Sequence, residues 1–366
     1  MKKIWLLLLC VALLCSHCIY THALETTAES AVVLDAATGV VMYAKNETMR
    51  RSMASTTKIM SALIVLEYGD LDACYRVSKA DACVEGSSLG LHEGDVLRVR
   101  SLLYGLMIVS GNDAAHALAN AVCGNQKAFV RRMNQKAAAL GLKNTHFTNP
   151  AGLTHQNHYS TAKDMALLSA YALKDARFRE ICAQSEADIS FETPKKSVTL
   201  YNHNRLLHEY EGCIGIKTGY TMDAGRCLVS AARRHGQILI AVTLGDVNDW
   251  ADHKKMLDAG FAASVPYTFD LRQIEIPVVG SNRQSVSPAQ SKICLYVPKS
   301  VLPAIRAQVC APHFLYAPVG KGQQIATVSI CMGHKTLKSV VLSSAQTAKR
   351  QVIQKQSIFE KLFHYG

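Results

Sequence analysis

The chain has 366 residues, of which 49% are apolar and 19% charged, so it can form more than one domain and is too apolar for wholesale disorder. Lysine and arginine number 40 against 28 acidic residues, and the formal net charge of +12 favours anionic partners such as lipid headgroups or acidic cell-wall polymers. No basic run with interleaved aromatic residues occurs, so the sequence argues against nucleic acid as a partner.

The first 23 residues have the layout of a secretory signal. Lys2 and Lys3 precede an almost wholly apolar run at 4–15, and Ala23 offers a small residue for cleavage. The run is shorter than the roughly 20 residues that span a membrane comfortably, although an uncleaved anchor stays open as the alternative. We expect the mature chain to be exported.

The next 250 residues or so predict an α+β domain over 24–272. Strands are expected at 31–35 and 40–43, helices at 55–68, 101–109, 113–122, 126–140 and 161–174, strands at 227–232 and 238–244, and a helix at 252–261. Because strands come from both ends of this region, they should form one antiparallel sheet with helices packed on it.

The composition of the sequence changes near residue 273, where Pro and Gly residues separate short runs that are rich in β-branched residues. Strands are expected at 274–276, 293–297, 325–330 and 339–342, which predicts a small all-β domain over 273–345. The last segment, 346–366, places apolar residues such as Phe359 and Phe363 broadly on one helix face with lysines elsewhere. Such a basic amphipathic segment is typical of a tail that lies in the membrane interface, and a helix docked on the β domain is the alternative.

Three short motifs that can carry chemistry occur in one order. They are Ser55-Thr56-Thr57-Lys58, Ser110-Gly111-Asn112 and Lys217-Thr218-Gly219. A second match to the first pattern, Ser160 to Lys163, is interpreted as a helix start. The SxxK pattern alone is weak evidence for a catalytic serine. The three motifs in this order, after an export signal, are much stronger evidence for a catalytic site.

The first motif suits a serine nucleophile with a lysine base. A residue three positions on lies one turn along the same helix face, so the Lys58 amine can reach the Ser55 hydroxyl. Burial and nearby cations would lower the pKa of Lys58 toward the neutral form that a base needs. Because Ser55 begins a predicted helix, its backbone N–H can help to bind an oxyanion.

The other two motifs can bind the substrate and relay a proton. Lys217 is a cation that could dock a substrate carboxylate, Ser110 could pass a proton to the leaving nitrogen, and Asn112 could bind the substrate amide.

With their neighbouring residues, these motifs resemble the low-molecular-mass serine D-Ala-D-Ala carboxypeptidases of peptidoglycan, which are penicillin-binding proteins. The resemblance covers about residues 28–345 and includes the stretches 54–60, 110–115, 147–153, 215–221 and 224–229. It implies the penicillin-binding, β-lactamase-like fold followed by a β-rich domain. It also implies Ser55 as the acylated residue, Lys58 as the base and Ser110 in the cleft.

The same resemblance assigns substrate contacts to Asn112, Lys217, Thr218, Gly219 and Tyr220, with the N–H groups of Ser55 and Tyr220 as the oxyanion hole. Two departures bear on substrate preference. Tyr220 follows the KTG motif where some members have His, and 246–253 contains no Arg where relatives often place one. Arg205, Lys217 and Thr218 would then do more to hold a terminal carboxylate.

Three other interpretations of the chain are less well supported by its residues. A class A β-lactamase would need a deacylating glutamate, and Glu180, Glu186 and Glu192 lie between the second and third motifs without the usual context. A non-catalytic wall-binding module is disfavoured because every motif residue is intact. A metal hydrolase is disfavoured because the cysteines show no CxxC and His155, His158, His203 and His208 are scattered, so they should be surface or structural.

The sequence therefore predicts an exported serine-type D-Ala-D-Ala carboxypeptidase that trims peptidoglycan pentapeptides through a Ser55 acyl-enzyme and binds β-lactams. No metal or cofactor is expected. The expected location is the outer face of the cytoplasmic membrane, in the periplasm or cell-wall space. Most of the nine cysteines beyond the signal are expected to be small buried side chains.

Overall fold

The computed structural model describes residues 24–351. The signal segment 1–23 and most of the proposed tail, 352–366, lie outside the described residues. Within the described range, no helix is long and apolar enough to cross a membrane.

The strands are β1 Ser30–Asp35, β2 Val41–Lys45, β3 Cys74–Arg76, β4 Val96–Arg98, β5 Glu186–Thr193, β6 Lys196–Tyr201, β7 Cys213–Thr221, β8 Gly225–Arg234, β9 Gln237–Asp246, β10 Ser264–Asp270, β11 Ile276–Val279, β12 Ser285–Val286, β13 Lys292–Pro298, β14 Ile305–Cys310, β15 Leu315–Tyr316, β16 Gln324–Met332 and β17 Lys335–Ser343. The helices are α1 Lys58–Tyr68, α2 Lys79–Ala82, α3 Val99–Ile108, α4 Asn112–Cys123, α5 Gln126–Ala139, α6 Ala162–Ala172, α7 Ala176–Cys182, α8 Leu206–Glu209 and α9 Asp249–Ala262. Short 3₁₀ segments occupy Ala54–Thr57 and Lys299–Ala304.

The predicted antiparallel sheet with strands from both ends of the region is confirmed. Its order is β2-β1-β9-β8-β7, and every neighbouring pair is antiparallel. On β1, Val32 and Leu34 face the large helical core, whereas Ala31 and Val33 face the smaller core beneath α9. Successive side chains of a strand point to opposite faces, so this sheet is covered by helices on both sides.

The helical middle region packs on one face of this sheet. Helix α1 is buried nearly throughout, as its all-round apolar pattern predicts. Helices α3 and α4 meet at Val109 to Gly111, the break that the sequence placed near Gly111.

A second sheet, β3-β4-β5-β6, was not expected from the sequence. Strands β3 and β4 have three residues each, too few to show a period. In β5 only Ile189 and Phe191 are buried, and most of the residues around them are polar. The alternation of apolar and polar residues is therefore too weak to predict a strand. Pairing with β4 and β6 decides that this segment is a sheet.

The C-terminal part is all β apart from one 3₁₀ segment, as expected, and has its own buried core that includes Leu271, Val297 and Leu342. Strand β10 pairs with β13 along its whole length, and Ala348 is buried in the same core. We call Ser264–Gln351 the β-rich segment below. The domain limits inferred from the sequence stay a prediction.

The expectation that most of the nine cysteines are buried was wrong. All nine are free thiols in the described residues, but only Cys182, Cys227 and Cys331 are buried. Four others are exposed: Cys74, Cys83, Cys294 and Cys310. They lie on short or peripheral strands and loops, where the sheets leave side chains in solvent.

Candidate active site

The proposed nucleophile lies at the entrance to helix α1. Ser55 is the second residue of the 3₁₀ turn Ala54–Thr57, which leads directly into the helix. Ala54 has φ +46°, a left-handed conformation that costs free energy for a residue with a Cβ. A Cβ on Gly152 would lie 1.9 Å from the Ala54 carbonyl oxygen, so this loop can press against the turn only because residue 152 is glycine.

Lys58 is placed to act on Ser55. Its Nζ lies 2.8 Å from Ser55 Oγ, 2.7 Å from Asn112 Oδ1 and 2.8 Å from the Ala151 carbonyl oxygen. The side chain is fully buried, and burial is the main cause that holds the pKa of Lys58 well below 10.5. The charge of Lys217 lowers this pKa further, while Asp113 opposes the shift. A neutral amine beside a serine hydroxyl can accept its proton.

The second motif forms another wall of the site. Ser110 is nearly buried with φ +62°, and its Oγ has no hydrogen-bond partner within residues 24–351. Asn112 accepts from Lys58 through Oδ1 and donates through Nδ2 to the Glu85 carbonyl oxygen at 2.6 Å. Asn112 therefore positions Lys58, and the unpaired Ser110 hydroxyl is available to a substrate or to a proton relay.

Asp113 holds the loop above this motif. It is fully buried and accepts bonds from the N–H groups of Leu89, Gly90 and Leu91 and from the Ser88 hydroxyl. Its carboxylate oxygens are occupied by these donors, so Asp113 fixes a loop of the cleft and is not placed as a catalytic acid.

The third motif lies on β7, at the edge of the main sheet. A Cβ on Gly219 would stand 3.0 Å from Ser55 N and 3.1 Å from Thr56 N, so glycine lets this strand run directly beside the nucleophile's backbone. Lys217 is almost fully buried, and burial lowers its pKa to about 7. Tyr220, in contrast, is 66% exposed at the open end of the strand.

Together these elements enclose a cleft of about 490 Å³. Its lining includes Ser55, Ser110, Thr218, Gly219 and Tyr220 from the predicted set. Lys58 and Asn112 lie behind Ser55, and Lys217 lies buried within β7. The structure thus brings all eight predicted residues to one place, although their catalytic and binding roles stay a proposal.

Five other residues line the cleft, and none of them was assigned a catalytic or binding role from the sequence. They are Ser87, His203, Arg226, Asp249 and Trp250. Arg226 pairs with Asp249 at 2.8 Å and lies 5.9 Å from the Trp250 ring centre. Arg226 lies in the stretch 224–229, one of those that resemble the carboxypeptidases, and this was the one signal in the sequence that could have pointed to it. Its neighbour Asp249 lies on α9, far away in the sequence.

The other singled-out residues lie elsewhere. Glu180, Glu186 and Glu192 are absent from the cleft lining, and Glu192 instead pairs with Arg98 on the second sheet. His158 is buried between Thr57 and Thr148, and burial lowers its pKa to about 4, so it is structural. Within the described residues, no group of His, Cys, Asp and Glu could hold a metal ion.

Comparison with known proteins identifies the family of this chain. Residues 18–248 match the family model of D-alanyl-D-alanine carboxypeptidase, peptidase S11. The chain is 33% identical to the D-alanyl-D-alanine carboxypeptidase DacF of Bacillus subtilis over 343 residues, which cover 90% of this chain and 88% of the relative.

Two solved structures extend the match. Penicillin-binding protein 5 of Haemophilus influenzae is 29% identical with a TM-score of 0.63, covering 89% of this chain and 98% of that one. The Streptomyces K15 DD-transpeptidase is 35% identical with a TM-score of 0.63, covering 65% of this chain and 98% of that one. The chain belongs to the D-alanyl-D-alanine carboxypeptidase family, peptidase S11, of penicillin-binding hydrolases.

Proposed function

We propose that this family member is a serine-type carboxypeptidase that removes the terminal D-Ala from peptidoglycan pentapeptides through an acyl-enzyme at Ser55. The observation that carries the proposal is the buried Lys58 amine 2.8 Å from Ser55 Oγ, with its pKa lowered by burial. β-Lactams would acylate the same hydroxyl because they present a reactive amide to the same cleft.

The reaction runs in two steps. Ser55 Oγ attacks the carbonyl carbon of the penultimate D-Ala while Lys58 takes its proton, and the N–H groups of Ser55 and Tyr220 stabilise the oxyanion. The C–N bond then breaks, and the Lys58 proton passes, through Ser110, to the leaving D-Ala amine. Water hydrolyses the ester and restores the Ser55 hydroxyl.

A direct assay tests the function. The purified mature chain should release D-Ala from a diacetyl-Lys-D-Ala-D-Ala peptide. Because one structural neighbour is a DD-transpeptidase, the assay should be repeated with glycine as an added amine acceptor. The shortened free peptide indicates hydrolysis, whereas an amide product would indicate transfer, and absence of D-Ala release in both would refute the proposal.

We propose that Arg226, with Lys217, supplies the cation for the substrate carboxylate, in place of the arginine that is absent from 246–253. Arg226 lines the cleft and pairs there with Asp249 at 2.8 Å. Arg205 does not line the cleft; it pairs with Glu209 at 2.7 Å and lies 5.9 Å from the Trp250 ring centre. We expect Arg226→Gln to raise KM about tenfold with a smaller change in kcat, since an arginine–carboxylate bond contributes about 1.5–3 kcal/mol. Arg205→Gln is the matched control and should leave KM unchanged. Equal effects of the two substitutions on KM would contradict the assignment.

A pH dependence follows from Lys217. In the free enzyme burial lowers its pKa to about 7, so the amine loses its charge as pH rises through this value. For a substrate with a free carboxylate, kcat/KM should therefore fall above about pH 7, because this parameter reports the pKa values of the free enzyme.

The control is a substrate whose terminal carboxylate is converted to an amide. Its kcat/KM should lack this alkaline decline, because it offers no anion to Lys217. A decline of the same size for both substrates would assign the titration to another group.

We propose that the chain acts outside the cytoplasmic membrane, exported by the segment 1–23 and held at the outer face by its basic amphipathic tail. Residues 346–351 are part of the fold: Ala348 pairs with Val319, and Gln351 N–H donates to the Gly280 carbonyl. A truncation that tests the tail should therefore end after Gln351, so that these backbone contacts are kept.

A further inference from the structure

The net positive charge of the chain is concentrated in the β-rich segment. Residues 264–351 contain ten lysines and arginines and two acids, Asp270 and Glu275. Residues 24–263 contain 26 basic and 25 acidic residues and are almost neutral. Asp270 is paired with Arg272, so its negative charge mainly offsets that one arginine and not the other basic residues of the segment. The body that holds the cleft therefore does not explain an attraction to anionic partners.

The β-rich segment has one end near the catalytic body and one end far from it. At the near end, the turn between β16 and β17 brings Lys335 Nζ to 3.6 Å from the position of a Cβ on Gly39. Strands β16 and β17 then run nine residues away from this contact, about 30 Å, to the turn before Gln324 and the segment after Ser343.

Apolar side chains are exposed at the far end. Tyr316 is 73% exposed, Val279 49% and Phe314 45%. Val279 pairs with Tyr316 between β11 and β15, and the Phe314 and Tyr316 rings lie 5.3 Å apart. We call these three residues and the bases around them the distal surface.

Four basic residues lie on backbone segments next to those that carry these apolar side chains. Arg350 pairs with Ser281, two residues beyond Val279, and the Lys349 backbone bonds to Asn282, beside Arg283. Lys321 N–H donates to Thr347 Oγ1, next to buried Ala348. All four bases are exposed, and none has an acidic partner within residues 24–351.

The chain also leaves the described structure at this surface. Gln351 bonds to Gly280, and the basic amphipathic sequence 352–366 follows. Exposed aromatic rings on segments next to exposed, unpaired cations suit the boundary between acyl chains and anionic headgroups, where rings contact hydrocarbon and cations contact phosphate.

We propose that the distal surface itself binds the anionic phospholipid bilayer, in addition to the tail. The aromatic side chains enter the interface, and Arg283, Lys321, Lys349 and Arg350 contact lipid phosphates. The β-rich segment would then stand on the membrane by its far end, with the catalytic body held roughly 30 Å or more above the lipid surface. Two contacts, a surface and a tail, would give a fixed orientation that a single tail does not give.

Vesicle binding by the mature chain, 24–366, tests this proposal. The vesicles contain phosphatidylglycerol and phosphatidylcholine, and the parent carries Phe359→Ser and Phe363→Ser to weaken the tail. We expect Phe314→Ser with Tyr316→Ser to weaken vesicle affinity about tenfold further. Tyr201→Ser is the control, because Tyr201 is 65% exposed on β6 of the catalytic body.

Charge reversal tests the cationic part. Lys321→Glu with Arg350→Glu should weaken binding and reduce its salt dependence, whereas Lys127→Glu with Lys143→Glu, two exposed positions on the catalytic body, should not. Penicillin labelling of every variant confirms a folded cleft. A Tyr316→Trp side chain should also be quenched by brominated lipid, unlike Tyr201→Trp.

Equal vesicle affinity of the distal and control variants would overturn the proposal. So would a result in which only charge reversal matters and Tyr316→Trp stays unquenched, since that pattern indicates a soluble anionic polymer as the partner. A distal surface covered by the tail would likewise leave Tyr316→Trp unquenched by lipid.

Discussion

Replacing Ser55 with Ala should abolish covalent labelling by fluorescent penicillin and the release of D-Ala. The Ser55 hydroxyl accepts a hydrogen bond from Lys58 Nζ at 2.8 Å, and alanine removes this hydroxyl while keeping the 3₁₀ turn. Loss of the nucleophile removes the covalent path altogether, so the expected effect on labelling is complete. Gel fluorescence after incubation with the labelled penicillin measures it.

Two serines serve as controls for Ser55→Ala. Ser87 lines the same cleft, so Ser87→Ala tests whether any cleft hydroxyl is required. Ser160 begins the second SxxK match but is buried, with its Oγ 2.8 Å from Thr145 Oγ1. Both variants should keep their labelling. Labelling that persists in Ser55→Ala would show that another residue is acylated.

Replacing Lys58 with Met should slow acylation by about 10²–10⁴-fold, the usual contribution of a general base. Methionine keeps an unbranched apolar stem in the buried site but removes the amine that accepts the Ser55 proton. Stopped-flow acylation by a chromogenic β-lactam gives the rate.

The pH profile separates a base from a structural role. A neutral amine is needed, so wild-type acylation should rise with pH through the lowered pKa of Lys58 and fall as the amine is protonated at lower pH. Lys58→Met should lose this rising limb. Near-normal acylation of Lys58→Met at neutral pH would point to another base.

Ser61→Ala is the matched control on the same helix. Ser61 is buried one turn further along α1 and donates to the Pro150 carbonyl oxygen at 2.6 Å, beside the Ala151 carbonyl that Lys58 contacts. The substitution leaves a buried acceptor unpaired and should cost stability, about 1–3 kcal/mol, as thermal unfolding would show. Its acylation rate should stay near that of the wild type.

The sequence by itself determined the order of the three motifs and four of the five strands of the main sheet, whereas β7, which carries the third motif, was not predicted as a strand. Ser55 and Lys58 are three residues apart, so helix geometry alone brings the amine to the hydroxyl. The hairpin of β1 and β2 and the pair β8 and β9 have long β-branched runs around glycine turns, and local patterns of this kind are sufficient for their prediction.

Tertiary structure decided what depends on distant partners. The second sheet forms because β4, at 96–98, pairs with β5, about ninety residues later, and neither has a strong period of its own. Burial by the whole fold, with the charge of Lys217 from β7, lowers the pKa of Lys58, and no local pattern gives the extent of burial.

The same reason explains the residues that the sequence did not assign. Arg226 becomes a cleft residue because α9 brings Asp249 beside it, and Phe314 and Tyr316 become a surface because β15 joins β11 at the sheet edge. A sequence states which side chains are present and their local periodicity. Which of them share a cleft or an exposed face is decided by contacts between segments far apart in the chain, since those contacts determine burial and solvent exposure.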